Sequence, residues 1–151
     1  MSLRGRIDAS LKEAMKARQM GRVSTLRMIN AALKDRDIAL RGEGKPEMVE
    51  ADVVAVLSRM VKQRQESMRA YDEGGRAELA EKERVEIGVI EEFLPRQLTP
   101  EEVEAAVAAA IAATGAESLR DMGKVMAELK ARHTGQMDFG AVGPMVKARL
   151  G

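Results

Sequence analysis

Apolar residues recur every three or four positions along nearly the whole chain, and nowhere do they alternate over a strand's length. A period near 3.6 marks a helix with one face in a core, whereas a half-buried strand needs a period of two. The chain is therefore predicted to be all-α. Leu3, Ile7, Leu11 and Met15 form the first stripe with Ala14 beside them, Ser2 is the expected N-cap, and Gln19-Met20-Gly21 is the expected end. Leu26, Ile29, Leu33 and Leu40 predict a second helix over about Val23 to Leu40. Val53, Leu57, Met60, Val61, Met68 and Tyr71 predict a third over about Val49 to Asp72, ended by Gly74-Gly75. Leu79, Ile87, Ile90 and Leu94 align on a fourth, about Arg76 to Phe93, closed by Pro95 because the residue before proline avoids the helical region.

Thr99-Pro100-Glu101-Glu102 is a start signal, with a cap, a proline at the first helical position and a capping-box glutamate. The fifth helix carries Val103, Val107, Ala110 and Ile111 and ends at Thr114-Gly115. The sixth, about Ser118 to Arg132, carries Leu119, Met122, Val125, Met126 and Leu129. A short last helix has Val142, Val146 and Leu150, and Pro144 predicts that it starts late or irregularly. The expected layout is two lobes: residues 1–94 with four longer helices, and residues 95–151 with three shorter ones.

Several function classes are excluded by residue type. Without cysteine there is no thiolate zinc site, disulfide framework or cysteine nucleophile, and one histidine cannot make a two-imidazole site. No phosphate-cradling glycine loop or metal-ligand spacing is present, so no cofactor, metal or catalytic residue is expected. His133 lies where the sixth helix should end, a position that favours a cation by dipole alone. The start of the chain has charges every few residues and no apolar core of a secretion signal. The most apolar run, Val103–Ala113, is about half the ~20 residues of a membrane span and is broken by Glu104. A cytoplasmic protein without a membrane partner is expected.

The net charge of +1 hides a segregation. Residues 1–41 carry ten basic and four acidic side chains, whereas residues 42–94 carry eight and thirteen. Arg27, Lys34 and Arg41 lie seven apart on the second helix, nearly two full turns, and so share one flank. Lys62, Arg69 and Arg76 repeat the spacing along the third helix and its end. Lys124, Lys130, Arg132, Lys147 and Arg149 crowd the last two helices. Such rows suit either a phosphate backbone or an ordinary solvated face. Aromatics are only 2%, which argues against recognition by base stacking.

Charges also fall inside apolar stripes. Arg64 sits in the middle of the third helix's face, Glu83 and Glu86 on the fourth's, and Asp37 on the second's. A buried unpaired charge costs several kcal/mol. Arg64 is therefore expected either to pair with Glu83, Glu86 or Asp37, fixing helix register, or to snorkel to the edge. Met122, Met126, Met137 and Met145 give the C-terminal lobe a methionine-rich character that suits core filling or an adaptable contact surface.

Seven segments taken together carry a resemblance: STLRM (Ser24 to Met28), KQRQES (Lys62 to Ser67), LAEKE (Leu79 to Glu83), LPRQL (Leu94 to Leu98), TPEE (Thr99 to Glu102), DMGKVM (Asp121 to Met126) and VKARL (Val146 to Leu150). Their order and spacing resemble the GatB/YqeY family, specifically its free-standing YqeY-like members, over nearly the whole chain. The resemblance implies a helical domain shared with the C-terminal tail of GatB, one of the polypeptides of the aspartyl/glutamyl-tRNA amidotransferase. That tail grips tRNA while a separate cradle domain performs the ATP-dependent chemistry. It implies tRNA, a tRNA-linked enzyme or another protein as partner, with Lys124, Lys147 and Arg149, then Arg27 and Lys62, as RNA-facing residues. The family is also labelled as carbon–nitrogen ligases with glutamine as amido-N-donor. With no counterpart of the cradle in this sequence, an accessory module without intrinsic activity is expected. A protein-interaction adaptor using the C-terminal lobe is one alternative, and an amidotransferase component, as the family label has it, is the other. Gly140, Gly143 and Pro144 depart from the more helical end the family leads one to expect.

Overall fold

A computed structural model describes residues 2–45 and 47–151. Among these residues seven α-helices run in order: α1 Leu3–Lys16, α2 Met20–Gly42, α3 Glu50–Glu73, α4 Ala77–Glu91, α5 Pro100–Thr114, α6 Met122–Arg132 and α7 Phe139–Leu150. A 3-10 turn, Leu119–Asp121, precedes α6, and no strand occurs among the described residues. The all-α expectation holds. The chain divides into two compact units, Met1–Leu94 and Pro95–Gly151.

In the first unit α1 to α4 share one core built on Ile7, Leu26, Ile29, Leu33, Leu57 and Ile90, all fully buried. α3 and α4 make the most extensive helix pair, folded back at Gly74-Gly75, and α4 also packs on α2. Contact on two sides explains why α4 buries a wide arc. Ala80 and Val89 join Ile87 and Ile90 in the core, although a single stripe predicts only the latter two, and Phe93 is buried just past the helix end. Met15 departs in the opposite direction. It lies on the predicted stripe of α1 yet is half exposed, because Ala14 takes the core position next to it.

Helix ends follow from backbone hydrogen bonds left open by the ladder. Ser2 caps α1 by accepting from the Gly5 N–H at 3.0 Å, and the Glu50 carboxylate from α3 accepts from the Leu3 N–H at 3.2 Å. The end of α1 differs from expectation. It stops at Lys16, and Met20 and Gly21, expected to break the chain, lie inside α2. The stop is a Schellman motif: the Gln19 N–H donates to Ala14 O and the Arg18 N–H to Met15 O. The same pair of bonds closes α2, α3 and α5, with Gly44, Gly75 and Gly115 at the left-handed position. In α1 that position is Arg18, at φ 55°. A side chain there crowds the following carbonyl, a cost of about 1–2 kcal/mol that glycine avoids. Arg18→Gly is therefore expected to stabilise the protein by about 0.5–1 kcal/mol, after glycine's greater unfolded-state entropy is subtracted. Urea unfolding with an unchanged m-value checks this.

In the second unit α5, α6 and α7 enclose Val107, Ala110, Val125, Leu129, Val142 and Val146. The capping box of α5 forms as predicted. Thr99 Oγ1 accepts from the Glu102 N–H at 3.2 Å, and Glu102 Oε1 accepts from the Thr99 N–H at 3.0 Å. Arg96 adds a two-pronged pair to Glu102 at 2.8 and 2.9 Å. The Arg96 guanidinium, followed by the Thr99 N–H, pulls the Glu102 carboxyl down to about 2.

The predicted sixth helix divides into the 3-10 turn and α6. Leu119 lies in the turn and is 47% exposed rather than on the core stripe. Asp121 bends the chain back here: its carboxylate accepts from the Glu117 N–H at 3.0 Å, which with the Ser118 N–H and the Lys124 charge lowers its pKa.

The last helix corrects a further expectation. It begins early, at Phe139, capped by Asp138 accepting from the Gly140 N–H at 3.0 Å, and runs through Pro144. Two features of the sequence make this tolerable. Gly143 has no Cβ to collide with the Pro144 ring, which removes the usual bar to a helical residue before proline. The ladder bond that Pro144 cannot make would have gone to the carbonyl of Gly140, an exposed residue open to water.

Candidate nucleic-acid interface

Most cations of α1 and the start of α2 are spent on internal contacts. Arg4 Nη1 meets Asp37 Oδ2 at 2.8 Å, so Asp37 serves α1 and not Arg64. Arg22 grips Glu92 at the end of α4 with two bonds, 2.5 and 3.0 Å, and the carboxylate raises the Arg22 pKa. Arg6 lies over the Phe93 ring at 5.8 Å.

Arg64 is the most enclosed of the guanidinium ion pairs. Its Nε donates to Glu86 Oε2 at 3.0 Å, its Nη1 to the Met60 carbonyl at 3.2 Å, and its Nη2 faces the Met28 sulfur at 3.6 Å. The two paired side chains are 15% and 13% exposed. One arginine thus joins α2, α3 and α4. Of the three carboxylates expected for it, the partner is Glu86; Glu83 lies half-buried on the same helix.

The predicted RNA-facing residues divide between the units. Arg27, Lys34 and Arg41 are exposed on one flank of α2, about 10 Å apart along the axis. None makes an ion pair within 4.0 Å among the described residues. The row on α3 is different. Lys62 and Arg69 are exposed, but Glu66 and Glu73 share their side of the helix. Arg76 does not continue that flank, because it lies beyond the glycine turn as the N-cap of α4, with Glu78 at 3.6 Å. In the second unit Lys124 is exposed near Asp121, whose carboxylate feels its charge. Lys147 and Arg149 are exposed in the last turn of α7, again without an ion pair among the described residues. Arg132 instead pairs with Glu128 one turn back.

His133 caps the end of α6, and its Nδ1 lies 3.1 Å from Gln136 Oε1, a structural contact inside one turn. Met137 is in the core, and Met122 and Met126 pack against it half-buried. Among the described residues no three His, Asp or Glu side chains gather as metal ligands, and no helix is long and apolar enough to cross a membrane.

Sequence reasoning missed Gln97 and Gln136, which cross-link the second unit. Gln97 Nε2 donates to Gly135 O at 2.5 Å and Gln136 Nε2 to Arg96 O at 3.1 Å. They are polar, lie 39 positions apart and follow no period, so only the fold brings them together.

An uncharacterized protein of Schizosaccharomyces pombe is 32% identical to this chain over 94 residues, 62% of the chain and 73% of the yeast protein. The Yqey-like protein family matches residues 4–150. That span takes in all seven helices but for the first residue of α1, the α2 row and the terminal cations alike, and on it the chain belongs to the YqeY-like protein family.

Proposed function

We propose that the protein is a non-catalytic accessory module that binds tRNA, in the manner of the tail of the tRNA-dependent amidotransferase it resembles. The observation that carries this is the row Arg27, Lys34 and Arg41. In a unit whose other arginines include Arg4, Arg22 and Arg64 held by carboxylates, these three stand exposed with no ion pair among the described residues. Lys147 and Arg149 present the same chemistry at the end of α7, and Lys124 adds a third cation to that unit. Double-stranded RNA is held through phosphates, 2′-hydroxyls and shape, which asks for basic side chains and few aromatics. A chain with 2% aromatics fits that mode.

Binding of bulk tRNA at 50 and 200 mM salt tests the reading. Each phosphate contact contributes about −0.7 to −0.9 to the slope of log affinity against log salt, so three contacts weaken binding roughly 20- to 40-fold over that range. The triple variant Arg27→Glu, Lys34→Glu, Lys147→Glu is expected to bind more weakly at low salt and to lose about two to three units of slope. All three side chains are exposed, so the fold should survive. No binding at low salt, or a slope the triple variant leaves unchanged, refutes the proposal.

A further inference from the structure

The cations of α2 have apolar companions that phosphate contact alone leaves unexplained. At about 100° per residue, Arg27, Lys34 and Arg41 lie within about 40° of one another, and Met20, Ala31 and Ile38 fall within about the next 40°. Met20 at 64% and Ile38 at 59% are two of the most exposed large apolar side chains among the described residues. The outer face of α2 therefore has two edges, one cationic and one apolar, each running more than about 20 Å along the axis. Asp35, the only exposed carboxylate among the described residues of α2, lies beyond the apolar edge.

The bundle limits how far this face can reach. α1, α3 and α4 all pack on α2. The exposed positions span about 160° of the circumference, so less than half of the helix stands out as a ridge. A ridge that low cannot fill a deep groove. In B-form DNA the major groove is about 8.5 Å deep; the minor groove is about 7.5 Å deep and about 6 Å wide, against a helix about 10–12 Å across. The major groove of A-form RNA is deep and narrow, whereas its minor groove is wide and shallow. Of these four surfaces, only the last lets the whole ridge come to rest on it.

We propose that α2 lies along the minor groove of an A-form RNA stem, with its cations on the phosphates of one strand and Met20, Ala31 and Ile38 against the riboses inside. Ala31 stands near the middle of the ridge, where a small side chain lets the backbone come close. Asp35 faces 2′-hydroxyls, which can donate to a carboxylate, instead of phosphates. This rests on the RNA reading above and narrows it: the partner is a double-stranded stem, selected by groove shape and 2′-hydroxyls and not by base sequence.

The full chain is titrated at low salt with an RNA duplex of about 16 base pairs, with the DNA duplex of the same sequence and with one RNA strand alone. The RNA duplex is expected to bind at least about tenfold tighter than either of the others, since burying a single Ile side chain corresponds to about that factor. Met20→Ala combined with Ile38→Ala, on two exposed side chains, should bring the RNA duplex to the level of the DNA duplex. The salt slope should stay as in the parent, because apolar contacts release no counterions. Equal affinity for the RNA and DNA duplexes, equal or tighter binding of the single strand, or a double variant that binds as the parent does overturns the proposal. Where such a result comes with a slope that the triple charge reversal lowers, phosphate binding by the row stands and only the groove is wrong. A chain that binds no nucleic acid at low salt overturns both readings.

Discussion

Leu129→Ala is expected to unfold residues 95–151 while residues 1–94 keep their structure. Leu129 is buried in α6 at 1% exposure, in a core that consists mostly of valine and alanine. Removing three carbons from such a site costs about 2–5 kcal/mol, and the upper part applies where neighbours cannot collapse into the space. Valines at 107, 125, 142 and 146 are short, β-branched and stiff at χ1, so they have little reach to fill a void. A unit of fewer than about 70 residues rarely holds more than about 3–5 kcal/mol in total. The loss therefore equals most of what the second unit has. Amide NMR should show signals from Pro95 onward collapsing into the unfolded range, with those of the first unit in place. A variant that keeps both sets dispersed would show that the second unit draws stability from more than its own core.

The same variant sorts the RNA proposal by unit. With the second unit unfolded, Lys147 and Arg149 no longer hold fixed positions, whereas the α2 row is untouched. Weakened but salt-dependent tRNA binding is the expected result.

How much of this was legible in the residues depended on whether a pattern repeats. Each helix announced itself through its apolar period, because burial of one face imposes that period on any sequence. The α5 start was legible in detail, since its cap, proline and glutamate act within four residues of one another. Arg64 was conspicuous because a guanidinium in an apolar stripe needs a partner. Periodicity could not choose between Glu83 and Glu86, which share an arc of α4; the fold-back at Gly74-Gly75 puts Glu86 opposite. The turn at Arg18 was illegible because arginine carries no preference for a left-handed backbone, and the nearby Gly21 is the more conspicuous breaker. The course of α7 escapes for a related reason. Pro144 alone points to a break, while the glycine before it is what lets the helix pass.

Removing one partner of the Arg64–Glu86 pair should cost far more than removing both. In Glu86→Ala the guanidinium stays among Met60, Met28 and the α3–α4 contact with nothing to balance its charge. Breaking a fully buried pair this way costs about 3–5 kcal/mol. With 15% and 13% of the two side chains still reaching water, about 2–4 kcal/mol is expected. Arg64→Met with Glu86→Leu removes both charges and fills the space with apolar groups of similar size. Neither desolvation cost then remains, and the double variant should lie within about 1 kcal/mol of the parent or above it. Urea midpoints at constant m-value measure both. A single variant within about 0.5 kcal/mol of the parent would mean that the guanidinium is solvated after all. A double variant as damaged as the single would mean that the arginine's bond to the Met60 carbonyl or its packing, rather than the ion pair, is what the helices need. The charge-conserving exchange Arg64→Lys separates those two, since lysine keeps the charge but cannot reach Glu86, the Met60 carbonyl and Met28 at once.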